Sequence, residues 1–232
     1  LGFVAILVGI VISRFVREQV EKRIQADMEM AKTIQSGCLP SIFPPFPEHA
    51  DQLDLYAMMR TAKEVGGDFY DFFMVDDDHL AIVMADVSGK GVPAALFMAI
   101  SKTLLQDRTL VEDELGSVFT GVNDILCQNN TSGMFVTAFE GVLDLKTGEF
   151  SFVNAGHEPP FCRKSGKDFK MHKLKPSLVL ACMEGMNYTA GKVMLEPGDR
   201  LFQYTDGVTE ATNANDELFE LDRLSESLNR HK

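Results

Sequence analysis

Three hydrophobic patterns succeed one another along the chain. Residues 1–12 are apolar on every side, and Arg14 and Arg17 come directly after them. The run is shorter than the roughly 20 residues that span a bilayer. Because the chain opens on Leu, the run is expected to be the last part of a transmembrane helix. Arg14, Arg17, Lys22 and Arg23 then place the next segment in the cytoplasm. A signal peptide fits poorly, because no basic stretch precedes the run and no small-residue cleavage site succeeds it. A buried core helix is the plainer rival, but such a helix usually keeps a polar face.

From 14 to 35 the pattern changes to helical spacing, with Val20, Ile24, Met28 and Ala31 among mixed charges and no Gly or Pro. This predicts a stalk helix that could pair with a second copy and carry a signal; a passive linker is the alternative. Prolines 40, 44, 45 and 47 end it. The expected organisation is 1–13 as the end of a membrane helix, 14–38 as a cytoplasmic stalk, and 39–232 as one main domain.

In that domain, Leu80-Ala81-Ile82-Val83-Met84-Ala85 is a continuous apolar run, as in a strand buried on both faces, and it stops at Asp86. Leu201-Phe202-Gln203-Tyr204 stops likewise at Thr205-Asp206-Gly207. Helices are predicted over 94–105, 111–129 and 217–229.

Charge narrows the functions. The 34 acidic residues outnumber 22 basic ones, for a formal charge of −12. Nucleic acid is therefore an unsuitable partner, since phosphate backbones need a basic face. A metal-dependent nuclease is disfavoured for the same reason. Cys38, Cys127, Cys162 and Cys182 form no CxxC pair, so neither a disulfide framework nor a structural zinc site is supported.

The candidate chemistry lies in carboxylates. Asp86 and Asp206 each end an apolar run before a Gly-containing turn, and Asp68 and Asp71 come after the pair Gly66-Gly67. Hard oxygen donors without nearby His or Cys favour Mg²⁺ or Mn²⁺ over zinc.

At this point the chain resembles a known family. Val65-Gly66-Gly67-Asp68-Phe69-Tyr70-Asp71, Asp86-Val87-Ser88-Gly89-Lys90-Gly91, Met134-Phe135-Val136-Thr137, Asn154-Ala155-Gly156-His157-Glu158-Pro159-Pro160, Pro197-Gly198-Asp199 and Tyr204-Thr205-Asp206-Gly207-Val208-Thr209-Glu210-Ala211 occur in that order. Together they resemble the bacterial sporulation and stress-response branch of the PP2C-type (PPM) serine/threonine phosphatases. The resemblance implies an α+β fold, two β-sheets packed as a sandwich and flanked by helices. It also implies two divalent cations, Mn²⁺ or Mg²⁺, held by Asp68, Asp86, the Val87 carbonyl and Asp206. Asp86 would bridge the ions, and a water between them would attack the phosphorus. The implied substrate is phosphoserine on a regulatory protein of the anti-sigma-factor-antagonist type.

Other residues have plainer readings. His157 sits in a turn-like segment where a structural role is simpler than general-acid catalysis. Lys90 could meet substrate phosphate, although Ser88-Gly89-Lys90-Gly91 does not match the Walker A pattern. Asp71 could brace the metal site or cap a turn. Phe72, Phe73 and the Met-containing helix 94–100 read as core. The family's closing strand, with its Asp-Asp-x-Thr-like motif, has no counterpart here, so the domain reads as incomplete at its C-terminus. That incompleteness suggests a second function: a partner-binding module with the same fold and an incomplete metal set.

Overall fold

The computed structural model describes residues 2–61, 64–128, 130–175 and 177–230, with side chains from Gly9 onward. The apolar run and the stalk form one helix, α1 (Gly2–Gly37). Nothing in either segment breaks the helical hydrogen bonds before Gly37 and Pro40. Among the described residues no helix is long and apolar enough to cross a membrane. Leu1 lies outside the described residues, as do the side chains of 2–8. Of the predicted stripe, Val20 and Ile24 are exposed, whereas Met28 and Ala31 are partly covered.

The domain begins after a short 3₁₀ turn at Pro47–His49. Strands β1 (Phe69–Met74), β2 (His79–Val87), β3 (Val136–Asp144) and β4 (Glu149–Ala155) pair antiparallel in sequence, and β7 (Gly191–Met194) adds to β4. The β1–β2 turn is set by Asp76, whose Oδ1 accepts the N–H groups of Asp78 and His79 at 2.8 and 2.9 Å. Asp144 shapes the β3–β4 turn in the same way, accepting from Lys146 and Thr147. A second sheet of three strands has the order β6 (Lys170–Met171), β5 (Phe161–Arg163), β8 (Arg200–Phe202).

The register explains the layers. Asp71 and Glu140 both pair with Val83, so the three side chains share one face of the larger sheet. Helices α2 (Val92–Thr109) and α3 (Leu115–Gln128) cover that face. Ala94, Met98, Leu105, Val118, Phe119 and Val122 bury against β1–β4 in the main core. The opposite face carries Phe139, Phe150 and Phe152, ring centroids about 6 Å apart, toward the second sheet. Beyond that sheet, α5 (Glu220–Arg230) buries Leu224 with Phe161 and Tyr204 in a smaller core. The result is the expected α+β sandwich of two sheets between helices.

Several expectations need correction. The helix predicted over 111–129 starts at Leu115, because Leu110 to Glu114 turn out of α2 first. Its expected end, Asn129, lies outside the described residues, as do His231 and Lys232. The helix predicted from Glu217 starts at Glu220; Glu217 instead donates its N–H to Asn213 Oδ1 in a turn. Helix 94–100 is core only on one side, since Leu96 and Ile100 are 63% and 52% exposed.

Asp71 caps no turn, since it lies inside β1. Its Oδ2 accepts from Lys102 Nζ of α2 at 2.6 Å, and both side chains are nearly buried. Seven residues further along α2, Thr109 Oγ1 donates to Glu140 Oε1 at 2.6 Å. Two polar ties thus fasten α2 to the sheet.

Candidate active site

Three backbone turns gather the carboxylates at one end of the sandwich. Asp86 is the penultimate residue of β2. Beyond it Gly89 and Gly91 take φ of 93° and 81°, left-handed values that glycine adopts without strain. The chain can therefore reverse into α2 and leave the Asp86 side chain at the rim.

Asp68 comes from the segment just before β1. Gly67 allows the approach: a Cβ there would lie 2.5 Å from the Val87 carbonyl oxygen. Asp68 is then oriented by Thr205, whose Oγ1 donates to Asp68 Oδ2 at 2.8 Å. Asp206 does not end a strand, as the apolar run predicted. It opens the single helical turn α4 (Asp206–Thr209), because β8 closes at Phe202 and three residues of irregular chain intervene.

The charges lie close enough to perturb one another. Asp68 stands close enough to Asp86 to perturb its carboxyl directly. Burial, then Asp68, then Asp206 and Glu158, push the Asp86 carboxyl up to about 8. Burial raises Asp206 too, with Glu210 and Asp68 adding to it, while the Gly207 N–H and Lys90 oppose them. Glu158 is raised by burial and by Asp206, Glu210 and Asp68. Carboxylates gathered this closely disfavour one another's charge, and hard divalent cations are the partners that relieve such crowding. The site is gathered rather than closed. Among the described residues, no three or more His, Cys, Asp or Glu side chains stand close enough together to hold an ion as they are.

The four predicted site positions lie in one region: Asp68 and Asp206 are within electrostatic reach of Asp86, and Val87 is the neighbour of Gly67. Glu158 and Glu210 were missed. Glu210 becomes visible only through α4, the single turn that Asp206 opens and Glu210 caps.

His157 belongs to the scaffold. Its Nδ1 pairs with Thr137 Oγ1 at 2.8 Å, and Asn154 clamps its backbone at 2.8 and 2.9 Å. Burial pushes its imidazole down to about 4, so it is neutral at physiological pH. Its Nε2 is buried without a hydrogen-bond partner among the described residues.

Residues 76–232 match the family described as Stage II sporulation protein E (SpoIIE). The chain belongs to the SpoIIE family. Relatives in two bacteria extend the match toward the N-terminus. "Phosphoserine phosphatase RsbU" of Bacillus subtilis is 32% identical over 197 residues, 84% of this chain and 57% of the relative. "Protein IcfG" of Synechocystis sp. is 32% identical over 230 residues, 87% of this chain and 35% of the relative. The chain thus spans between about a third and somewhat over half of these relatives' lengths. Among solved structures, the SiaA-PP2C domain of Pseudomonas aeruginosa aligns with a TM-score of 0.75 at 20% identity, covering 91% of this chain and 84% of that one. The SpoIIE family fold is therefore the PP2C-type sandwich described above.

In this SpoIIE-family chain, Gly67→Ala is expected to force the Asp68 segment off Val87. The stability cost should be about 1–3 kcal/mol, as for other overpacked sites, read from the denaturation midpoint. Unchanged stability would mean that Val87 moves aside freely.

Proposed function

We propose that the chain is a metal-dependent protein phosphatase that hydrolyses phosphoserine on a regulatory protein of the anti-sigma-factor-antagonist type. The observation that carries this is the convergence of Asp68, Asp86 and Asp206 from three separate segments, with Asp86 pushed up to about 8 by burial and then by its acidic neighbours. Their oxygens, with the Val87 carbonyl, would hold two Mn²⁺ or Mg²⁺ ions. When bound, such cations supply Lewis acidity that activates water and neutralises phosphoryl charge. Around them Thr205 fixes Asp68 by its 2.8 Å bond. Lys90, exposed and within electrostatic reach of Asp206, is placed to attract the substrate's phosphoryl oxygens. No protein nucleophile is required.

Control would come through α1. Gln35 is buried at its end, donating Nε2 to the Gly66 carbonyl at 2.6 Å and accepting the Gly66 N–H at 3.1 Å. The helix is thereby tied two residues from Asp68. On this reading 1–13 is the end of a membrane anchor, 14–38 is a cytoplasmic stalk, and the exposed Val20 and Ile24 are where two stalks pair. Gln35→Ala leaves both Gly66 backbone groups unpaired and should cost about 1–3 kcal/mol. Activity should then fall more in the full chain than thermal unfolding alone explains; equal losses would make Gln35 purely structural.

The open arrangement of the carboxylates favours a second reading, a partner-binding module that keeps the fold and does no chemistry. The two separate in one assay, hydrolysis of a phosphoserine peptide with Mn²⁺, with Mg²⁺ and with EDTA. The phosphatase reading expects turnover only with a divalent cation. Absence of turnover from folded protein under all three conditions would leave the module.

A further inference from the structure

Arg200, the first residue of β8 and six positions before Asp206 in the chain, lines a second opening, between the two sheets. There Val193 and Leu195, on the β7 side, face the β5–β6 hairpin across a cavity of about 650 Å³. This is the size of pockets that hold small molecules rather than flat protein surfaces. Its inner wall is apolar, made by Met171, Val193 and Leu195 above the packed rings of Phe139, Phe150 and Phe152.

The rim is cationic. Arg163, Lys164, Lys167, Lys170 and Arg200 line it against Asp168 and Asp199, five bases to two acids. This stands out against the whole chain at −12: residues 160–175 hold six Lys or Arg and a single acid, Asp168. Asp199 is committed to the scaffold. It accepts from Lys164 at 2.6 Å and from the N–H groups of Ser165 and Glu196. Arg163 is held in place differently, its guanidinium 5.3 Å over the Phe169 ring. Its Nε is buried with no hydrogen-bond partner.

We propose that this cavity binds a small molecule carrying two or more phosphate groups, with the phosphates on the Arg163, Lys167, Lys170 and Arg200 rim and any flat or apolar part against Met171, Val193 and Leu195. Phosphate oxygens match a multivalent Arg and Lys rim better than a single carboxylate does. The site is separate from the carboxylate cluster, whose negative charge repels such a ligand when no cation is present.

The test is calorimetric titration of the metal-free full chain with inorganic pyrophosphate and, separately, with ATP. Saturable binding of either is expected, weakened roughly tenfold or more by Lys167→Glu with Lys170→Glu, a loss of at least about 1.4 kcal/mol. Both lysines are exposed, so the variant keeps its fold. Lys22→Glu, a reversal on the exposed face of α1 outside the cavity lining, should leave binding unchanged. Tighter binding of ATP supports use of the apolar wall; equal binding supports recognition of phosphate alone. Failure of both probes to bind, or binding that the double reversal leaves intact, overturns the proposal.

Discussion

Asp86→Asn is expected to abolish cation-dependent hydrolysis while leaving the metal-free protein as stable as the parent or more so. The activity loss should be on the order of 10²–10³ or greater, the scale seen when one pre-placed electrostatic group is removed from an active site. The opposite sign for stability comes from the crowding of acids. Asp86 is pushed up to about 8 by burial and by Asp68, Asp206 and Glu158, so its ionised form opposes folding when no cation is bound. Asparagine keeps the shape and hydrogen-bonding capacity and removes the charge. The gain should therefore grow as pH rises from 6 to 9 in EDTA, and vanish with saturating Mn²⁺. Chemical denaturation with and without metal, beside peptide hydrolysis, reads both effects. A variant that loses activity by unfolding would contradict this account of the site.

The second large effect lies in the core. Glu140 is fully buried between β3 and α2, with Oε1 accepting from Thr109 and Oε2 unpartnered. Burial pushes its carboxyl from 4.5 up to about 8, with Asp71 adding slightly and the Thr109 bond opposing. Its folded-state pKa lies above the unfolded value, so the folded state holds an extra proton between them. Stability from this group is therefore present below about 4.5 and is lost as pH rises through about 8. The whole span corresponds to at most about 5 kcal/mol. Glu140→Gln keeps an acceptor for Thr109 and cannot ionise. At pH 5.5 the variant should lie within about 1 kcal/mol of the parent. At pH 9 it should be several kcal/mol more stable, melting higher by about 2–4 °C for each. Melting curves in EDTA that shift in parallel at every pH would show that Glu140 is not protonated in the fold.

Much of this was legible in the sequence because it rests on local rules. The apolar run ending at Asp86 is β2, and the Gly pair before Asp68 lets that segment lie against Val87. What escaped depends on pairing at a distance. Asp71 looked like part of the Gly-Gly-Asp motif, yet strand alternation turns it to the helix face, where Lys102 meets it 31 residues later. Glu140 sits in an apolar strand and gave no sign that Thr109 would reach it. Gln35 looked like one more polar position on a stalk, until its amide met Gly66. The basic run over 163–175 drew no reading in a chain of net charge −12, and only the cavity beside β5 and β6 gives it a meaning.

The central claim is that Asp68, Asp86 and Asp206 form a divalent-cation site, and Mn²⁺ binding monitored by electron paramagnetic resonance tests it without relying on activity. Saturable binding should be seen in the parent chain, weakened at least about tenfold in Asp86→Asn and in Asp206→Asn, on the scale by which a lost supporting group weakens metal binding. Binding that is absent from the folded parent chain, or that survives both substitutions unchanged, would contradict it.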